Sequence, residues 1–210
     1  MSELANPSQS VSRPKARVPD VILGRPVPSV FVDVDSAGVR RAGVTALRVI
    51  GFCLLTAIAA QVRIPLPHTS IPMTLQLPAV LAAGFLLPPP TAAASMLLYL
   101  AAGAAGLPFF ADAGGLTGMT GGYLVGFVIA AALVSVLRGN ARTSLPRRMA
   151  AGTAGACVVF ALGVGWMAFK LSDIRAAVAL GLAPFYVKAV LEVALAATFA
   201  WIVRRPRELR

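Results

Sequence analysis

Few polar side chains interrupt the apolar runs of this 210-residue chain, and those few are where chemistry could be done. Lys188 and Glu192 stand four residues apart in the last run, so on a helix they share one face. A charge in hydrocarbon is costly unless it is paired or faces a water-filled cavity. Either the two neutralise each other inside a bundle, or Lys188 meets an anionic or polar ligand. Gln76, in Met73-Thr-Leu-Gln-Leu77, carries two N–H donors and an acceptor oxygen. It either bonds a neighbouring helix or reads a polar ring.

A glycine-rich stretch, Gly114-Gly-Leu-Thr-Gly-Met-Thr-Gly-Gly122, lets backbone approach a partner closely. Such a turn can aim N–H groups, with the Thr120 hydroxyl beside Gly121 and Gly122, at a polar group. No Gly-Lys-Ser/Thr closes it, so it is not a Walker A loop and the chain is not expected to hydrolyse ATP. Tyr99, Phe109, Phe110 and Tyr123 flank this stretch, as an interfacial aromatic belt or as the wall of a small pocket. Asp112 in the same loop reads as a solvated acid or a ligand contact. His68, the only histidine, lacks partners for a metal or nucleophile site. Cys53 and Cys157 lie in apolar runs with no CxxC and read as packed thiols. Thr56 and Ala60, four apart on the first run, are small enough for close helix packing, internally or as a docking face for a partner protein.

The elements that must position these residues follow from composition. The chain is 58% hydrophobic and 13% charged, with mean hydropathy +0.79. A soluble fold of this length could not hide so much apolar surface. Runs at Gly43–Val62, Met73–Leu87, Thr91 to about Gly103, Tyr123–Leu137, Met149–Phe169 and Ala176–Val203 predict an all-α integral membrane protein with six transmembrane helices, the alternative being four spans plus a re-entrant pair formed by the short second and third runs. Pro88-Pro89-Pro90 separates the second from the third. Of the 19 Lys and Arg, all but Arg63, Lys170, Arg175 and Lys188 fall in Arg13–Arg48, Arg138–Arg148 and Arg204–Arg210. That asymmetry predicts both termini in the cytoplasm and argues against nucleic acid as the reason for the net charge of +11. The expected organisation is a flexible cytoplasmic tail over 1–42, a six-helix membrane domain over 43–203, and a basic cytoplasmic C-terminus over 204–210. The polar start has no signal-peptide h-region.

The segment Arg63–Phe127 resembles the BioY family, the biotin-binding membrane subunits (S components) of energy-coupling factor transporters. The matching stretches are Ile64-Pro-Leu-Pro, Ile71-Pro-Met-Thr-Leu-Gln76, Tyr99-Leu-Ala-Ala-Gly-Ala-Ala-Gly-Leu-Pro-Phe-Phe-Ala111 and Gly118-Met-Thr-Gly-Gly-Tyr-Leu-Val-Gly-Phe127. Three departures stand out. Gly118-Met119-Thr120 replaces Gly-Pro-Thr, Asp112 follows Ala111 where a small residue is usual, and Phe185 occupies the position of an acid that precedes the family's lysine.

The resemblance implies an S-component bundle in the cell membrane with biotin enclosed near the outer surface. It also implies a transmembrane coupling protein and ATP-binding subunits as partners. Biotin is then the transported ligand, with no cofactor and no catalysis. On this reading Lys188 meets a polar end of biotin, while Gln76, Thr120 and the Gly121–Gly122 backbone supply hydrogen bonds. Tyr99, Phe110 and Tyr123 pack on the ring, Asp112 substitutes for the missing acid, and Thr56 and Ala60 form the docking face. The alternatives are an S component for another small vitamin, a structural protein, or a membrane enzyme, for which no nucleophile, metal cluster or paired carboxylates at depth are evident.

Overall fold

The computed structural model describes residues 21–22, 25–26, 36–66, 69–140 and 143–204. His68, residues 1–20 and residues 205–210 lie outside them, so the described structure does not bear on most of the two expected tails. Two short strands, β1 (Val21–Ile22) and β2 (Arg25–Pro26), pair antiparallel within a unit that ends at Ser36. The rest of the chain is a second unit.

The described residues of that second unit are helical apart from one hairpin and the connecting loops. Helix α1 (Ser36–Gln61) leads into β3 (Arg63–Leu66) and β4 (Thr69–Thr74), which pair antiparallel with an irregularity between Ile64 and Leu66. Helices α2 (Gln76–Leu86), α3 (Pro89–Ala104) and α4 (Gly121–Leu137) follow. Next come α5 (Leu145–Leu171), α6 (Ile174–Gly181) and α7 (Tyr186–Arg204).

Proline sets several boundaries. Helix α2 stops before Pro88, and Pro89 and Pro90 occupy the first turn of α3, where a missing N–H costs nothing. The run Ala176–Val203 was expected as one helix, and the structure corrects this. It is broken at Leu182–Phe185, where Pro184 has no N–H to give, into the short α6 and the longer α7. The first helix also begins at Ser36, so residues 36–42 are helical and not part of a tail. Among the described helices, α1, α5 and α7 are long and apolar enough to cross a bilayer alone. Helix α2, with 11 residues, is shorter, about 17 Å at 1.5 Å per residue.

On α1 and α7 the large apolar side chains mostly point outward and small residues face inward. Leu47, Ile50, Leu54 and Ile58 on α1, and Val190, Leu191, Leu195 and Phe199 on α7, are exposed. That arrangement suits lipid and not water. Helix α4 packs between α2 and α5 by close backbone approach. A Cβ on Gly84 would lie 2.7 Å from Val134 Cβ and 2.8 Å from the Ala131 carbonyl, and one on Gly155 would lie 2.5 Å from Val134 Cγ2. Glycine is required at both crossings. The chain reverses at each turn, which gathers the first turns of α2, α4 and α7 and the last turns of α3 and α5 at one end.

Candidate ligand-binding site

The gathered end brings Gln76, Lys188 and Glu192 together. Gln76, the first residue of α2, is buried, and both faces of its amide are used. Its oxygen accepts from the Thr74 hydroxyl at 3.0 Å, and its nitrogen donates to the Tyr99 hydroxyl at 2.7 Å. Tyr99 in turn donates to the Phe109 carbonyl at 3.1 Å. A buried amide left without partners would be expensive, so this chain of bonds fixes the β4–α2 junction against α3 and the loop beyond it.

On the opposite wall, Lys188 in the first turn of α7 forms an ion pair with Glu192. Its ammonium also donates to the Thr74 carbonyl at 2.6 Å. Glu192 is 8% exposed, so the pair is shielded from solvent on the carboxylate side.

The glycine-rich loop closes the third side. The Asp112 carboxylate accepts from the Gly114 N–H at 3.1 Å and from the Thr120 hydroxyl at 3.3 Å. The Trp166 indole donates to the Gly118 carbonyl at 2.8 Å, anchoring the loop on α5. Tyr123 donates to the Gly181 carbonyl at 2.9 Å and sets its ring edge-on to Phe160, with centroids 6.1 Å apart.

Between these walls lies a cavity of about 90 Å³. Thr74, Gln76, Thr120, Tyr123, Lys188 and Glu192 supply its polar atoms, and Leu124, Phe127, Val159, Phe160 and Phe185 its apolar floor. Four residues picked out in the sequence, Gln76, Thr120, Tyr123 and Lys188, therefore meet at one space. The others do not line it. Tyr99 is fully buried and positions Gln76, and Phe110 packs edge-on to Tyr99 with centroids 5.5 Å apart. Asp112 holds Thr120 from behind. Gly121 and Gly122 face Leu116, Leu162 and Trp166, where a Cβ would overlap the backbone of the neighbouring segment. Their role is to let α4 start this close to α5.

Thr56 and Ala60 are fully buried within the bundle, with the Thr56 hydroxyl donating to the Phe52 carbonyl at 2.8 Å. Internal packing accounts for both, which corrects the expectation that they form a docking face. Sequence reasoning treated Glu192 only as the partner of Lys188 and passed over Thr74, although its spacing two residues before Gln76 on a strand placed it beside the site. Among the described residues no group of three or more His, Cys, Asp or Glu could hold a metal ion.

A sequence profile described as the BioY family matches residues 35–208. The chain belongs to the BioY family. Relatives agree in sequence over most of their own length. The "Biotin transporter BioY" of Thermotoga maritima is 34% identical over 153 residues, 71% of this chain and 89% of the relative. The "Probable biotin transporter BioY" of Pyrococcus horikoshii is 34% identical over 155 residues, with the same coverage of 71% and 89%. Among solved structures, the fold matches that of an S-component for biotin from an ECF-type ABC transporter, at TM-score 0.71 and 19% identity. That match covers 79% of this chain and 93% of the other. BioY members and this S-component are transport proteins, and the mostly helical fold is shared in outline. The family's expected acid position, Phe185 here, presents an aromatic ring to the cavity, and the carboxylate on the cavity comes from Glu192 instead.

Proposed function

We propose that this chain is the biotin-binding S component of an energy-coupling factor transporter. It sits in the cell membrane with six spans and both termini in the cytoplasm. It captures biotin from outside and delivers it inward together with a transmembrane coupling protein and ATP-binding subunits. The observation that carries this reading is the convergence of Gln76, Thr120, Tyr123 and Lys188, from three helices and the loop before α4, on one small cavity.

The chemistry of the walls suits the bicyclic end of biotin. A ureido group has one carbonyl acceptor flanked by two N–H donors. Lys188 and Glu192, adjacent on one helix face, offer an ammonium donor beside a carboxylate acceptor. The complementary placement has the ureido oxygen on Lys188 and a ureido N–H on Glu192. The carboxylate tail in that position would meet Glu192, a like charge in a shielded site. Gln76 and Thr120 then face the remaining polar atoms, and Phe160, Phe185 and Tyr123 pack on the thioether ring.

Ligand pockets usually enclose about 300–1,000 Å³, whereas this cavity holds about 90 Å³. Entry therefore requires a wall to withdraw. The β4–α2 junction meets Lys188 through the Thr74 carbonyl, a contact that a ureido oxygen would compete with directly. Transport follows from exchanging one acceptor on Lys188 for another.

The test is ligand retention. The chain, purified from cells grown with a mixture of vitamins, should carry biotin as the small molecule released on denaturation and identified by mass spectrometry. Recovery of a different vitamin in its place would assign the site to that ligand.

A further inference from the structure

The end of the bundle opposite the cavity gathers three guanidinium groups from three different helix termini. Arg138, capping α4, donates to the Phe85 carbonyl, and Arg204, ending α7, donates to the adjacent Leu86 carbonyl at 2.9 Å. Arg148, in the first turn of α5, donates to the carbonyls of Asn140 at 3.0 Å and Thr143 at 3.4 Å. Arg148 is fully buried, yet its Nη1 has no hydrogen-bond partner. The groups are close enough to repel one another. Burial, with the charges of Arg204 and Arg148, pushes Arg138 down to about 10.

Magnitudes decide whether the fold itself compensates this charge. The last carbonyls of α2 act as about half a negative charge at the helix C-terminus. Three guanidiniums face that half charge. Among the described residues the carboxylates are Asp112, Asp173 and Glu192, and all of them belong to the cavity end. Among the described residues no carboxylate therefore faces the cluster, which is partly desolvated and keeps a buried Arg148 Nη1 without a partner. Uncompensated buried charge of this kind is expensive unless an anion completes it.

We infer that Arg138, Arg148 and Arg204 form an anion site that takes the phosphate group of an acidic membrane lipid at the cytoplasmic surface. The inference rests on the membrane orientation proposed above. Guanidinium forks match phosphate oxygens in geometry as well as charge, and basic pockets between helix ends on the cytoplasmic side bind acidic headgroups. The phosphate would take up the free N–H of Arg148 and lie between the ends of α4, α5 and α7, tying together helices that also form the cavity. Inorganic phosphate shares the chemistry and is the other source the site could use.

The experiment compares the thermal unfolding of the purified chain in three settings: micelles with added phosphatidylglycerol, micelles with added phosphatidylcholine, and phosphatidylcholine micelles with inorganic phosphate. The expected result is a Tm higher by about 2–4 °C with phosphatidylglycerol than with phosphatidylcholine. That difference should disappear in the double variant R138Q/R204Q. Both arginines also cap α2, so the variant's own Tm falls; the readout is the difference between lipids, not the baseline. A matching rise with inorganic phosphate, lost in the same variant, supports the anion site with free phosphate as a source. Equal Tm values in all three settings, or a lipid difference that survives in R138Q/R204Q, would overturn the inference. Biotin binding is measured on the same samples. If it persists while the lipids are indistinguishable, the anion site fails and the proposed function stands.

Discussion

The ammonium of Lys188 lies 2.6 Å from the carbonyl of Thr74, joining two residues 114 positions apart in the chain. This bond ties the first turn of α7 to the strand end that leads into Gln76. Glu192 holds another of the ammonium's three N–H donors, so two of the three are used within the fold. A polar ligand that took the place of the Thr74 carbonyl on Lys188 would also release the strand end that carries Gln76.

Because Lys188 and Glu192 are shielded, removing one charge is expected to differ from removing both. Glu192→Gln should cost about 2 kcal/mol of stability, since it weakens a charge-assisted bond and leaves a cation uncompensated. The double variant K188M/E192L should regain most of that stability and bind no ligand. Thermal unfolding together with a binding assay separates the two. A double variant less stable than Glu192→Gln alone would contradict the pairing as the source of the loss.

Tyr99 sits behind the cavity, not in it, and its hydroxyl bridges Gln76 to the Phe109 carbonyl. Tyr99→Phe keeps the ring packing and leaves a buried N–H and a carbonyl short of partners. A loss of about 1–3 kcal/mol in stability is expected, with weaker ligand binding because Gln76 is no longer fixed. Equilibrium unfolding and a titration on the same sample check both; an unchanged titration would remove Tyr99 from the positioning of Gln76.

Ala60 is 0% exposed, whereas Ile58 on the same helix is 65% exposed. Ala60→Trp should therefore prevent folding, seen as aggregation on size-exclusion chromatography in detergent. Ile58→Trp should leave the monodisperse peak intact. A well-folded Ala60→Trp protein that fails only to bind a coupling protein would restore Ala60 to a docking role.

Much of this fold was legible because the membrane simplifies the sequence. Long apolar runs, prolines at 88–90 and the clustering of Arg and Lys mark the helices and the bundle's two ends. That Gln76, Thr120, Tyr123 and Lys188 need polar surroundings was legible for the same reason, and the structure brings all four to one cavity. What was hidden depended on direction. Asp112 reads as a ligand contact until its oxygens are seen to be taken by Gly114 and Thr120. Gly121 and Gly122 suggest backbone donors to a ligand, yet the space they leave is filled by α5. Periodicity gave no reason to break the last run at Pro184, because apolar residues continue on both sides. Nor did spacing say that Thr56 and Ala60 face inward, since small residues serve an internal seam and an external one equally well.

The role proposed for Lys188 is to hold the ligand in this cavity. Calorimetric titration of the purified chain with biotin, repeated on Lys188→Ala, tests it most directly. Saturable binding by the unaltered protein is predicted, weakened by about 2 kcal/mol or more, roughly thirtyfold, in the variant. Binding of equal strength in both proteins, or no binding by either in a folded sample, would contradict the account.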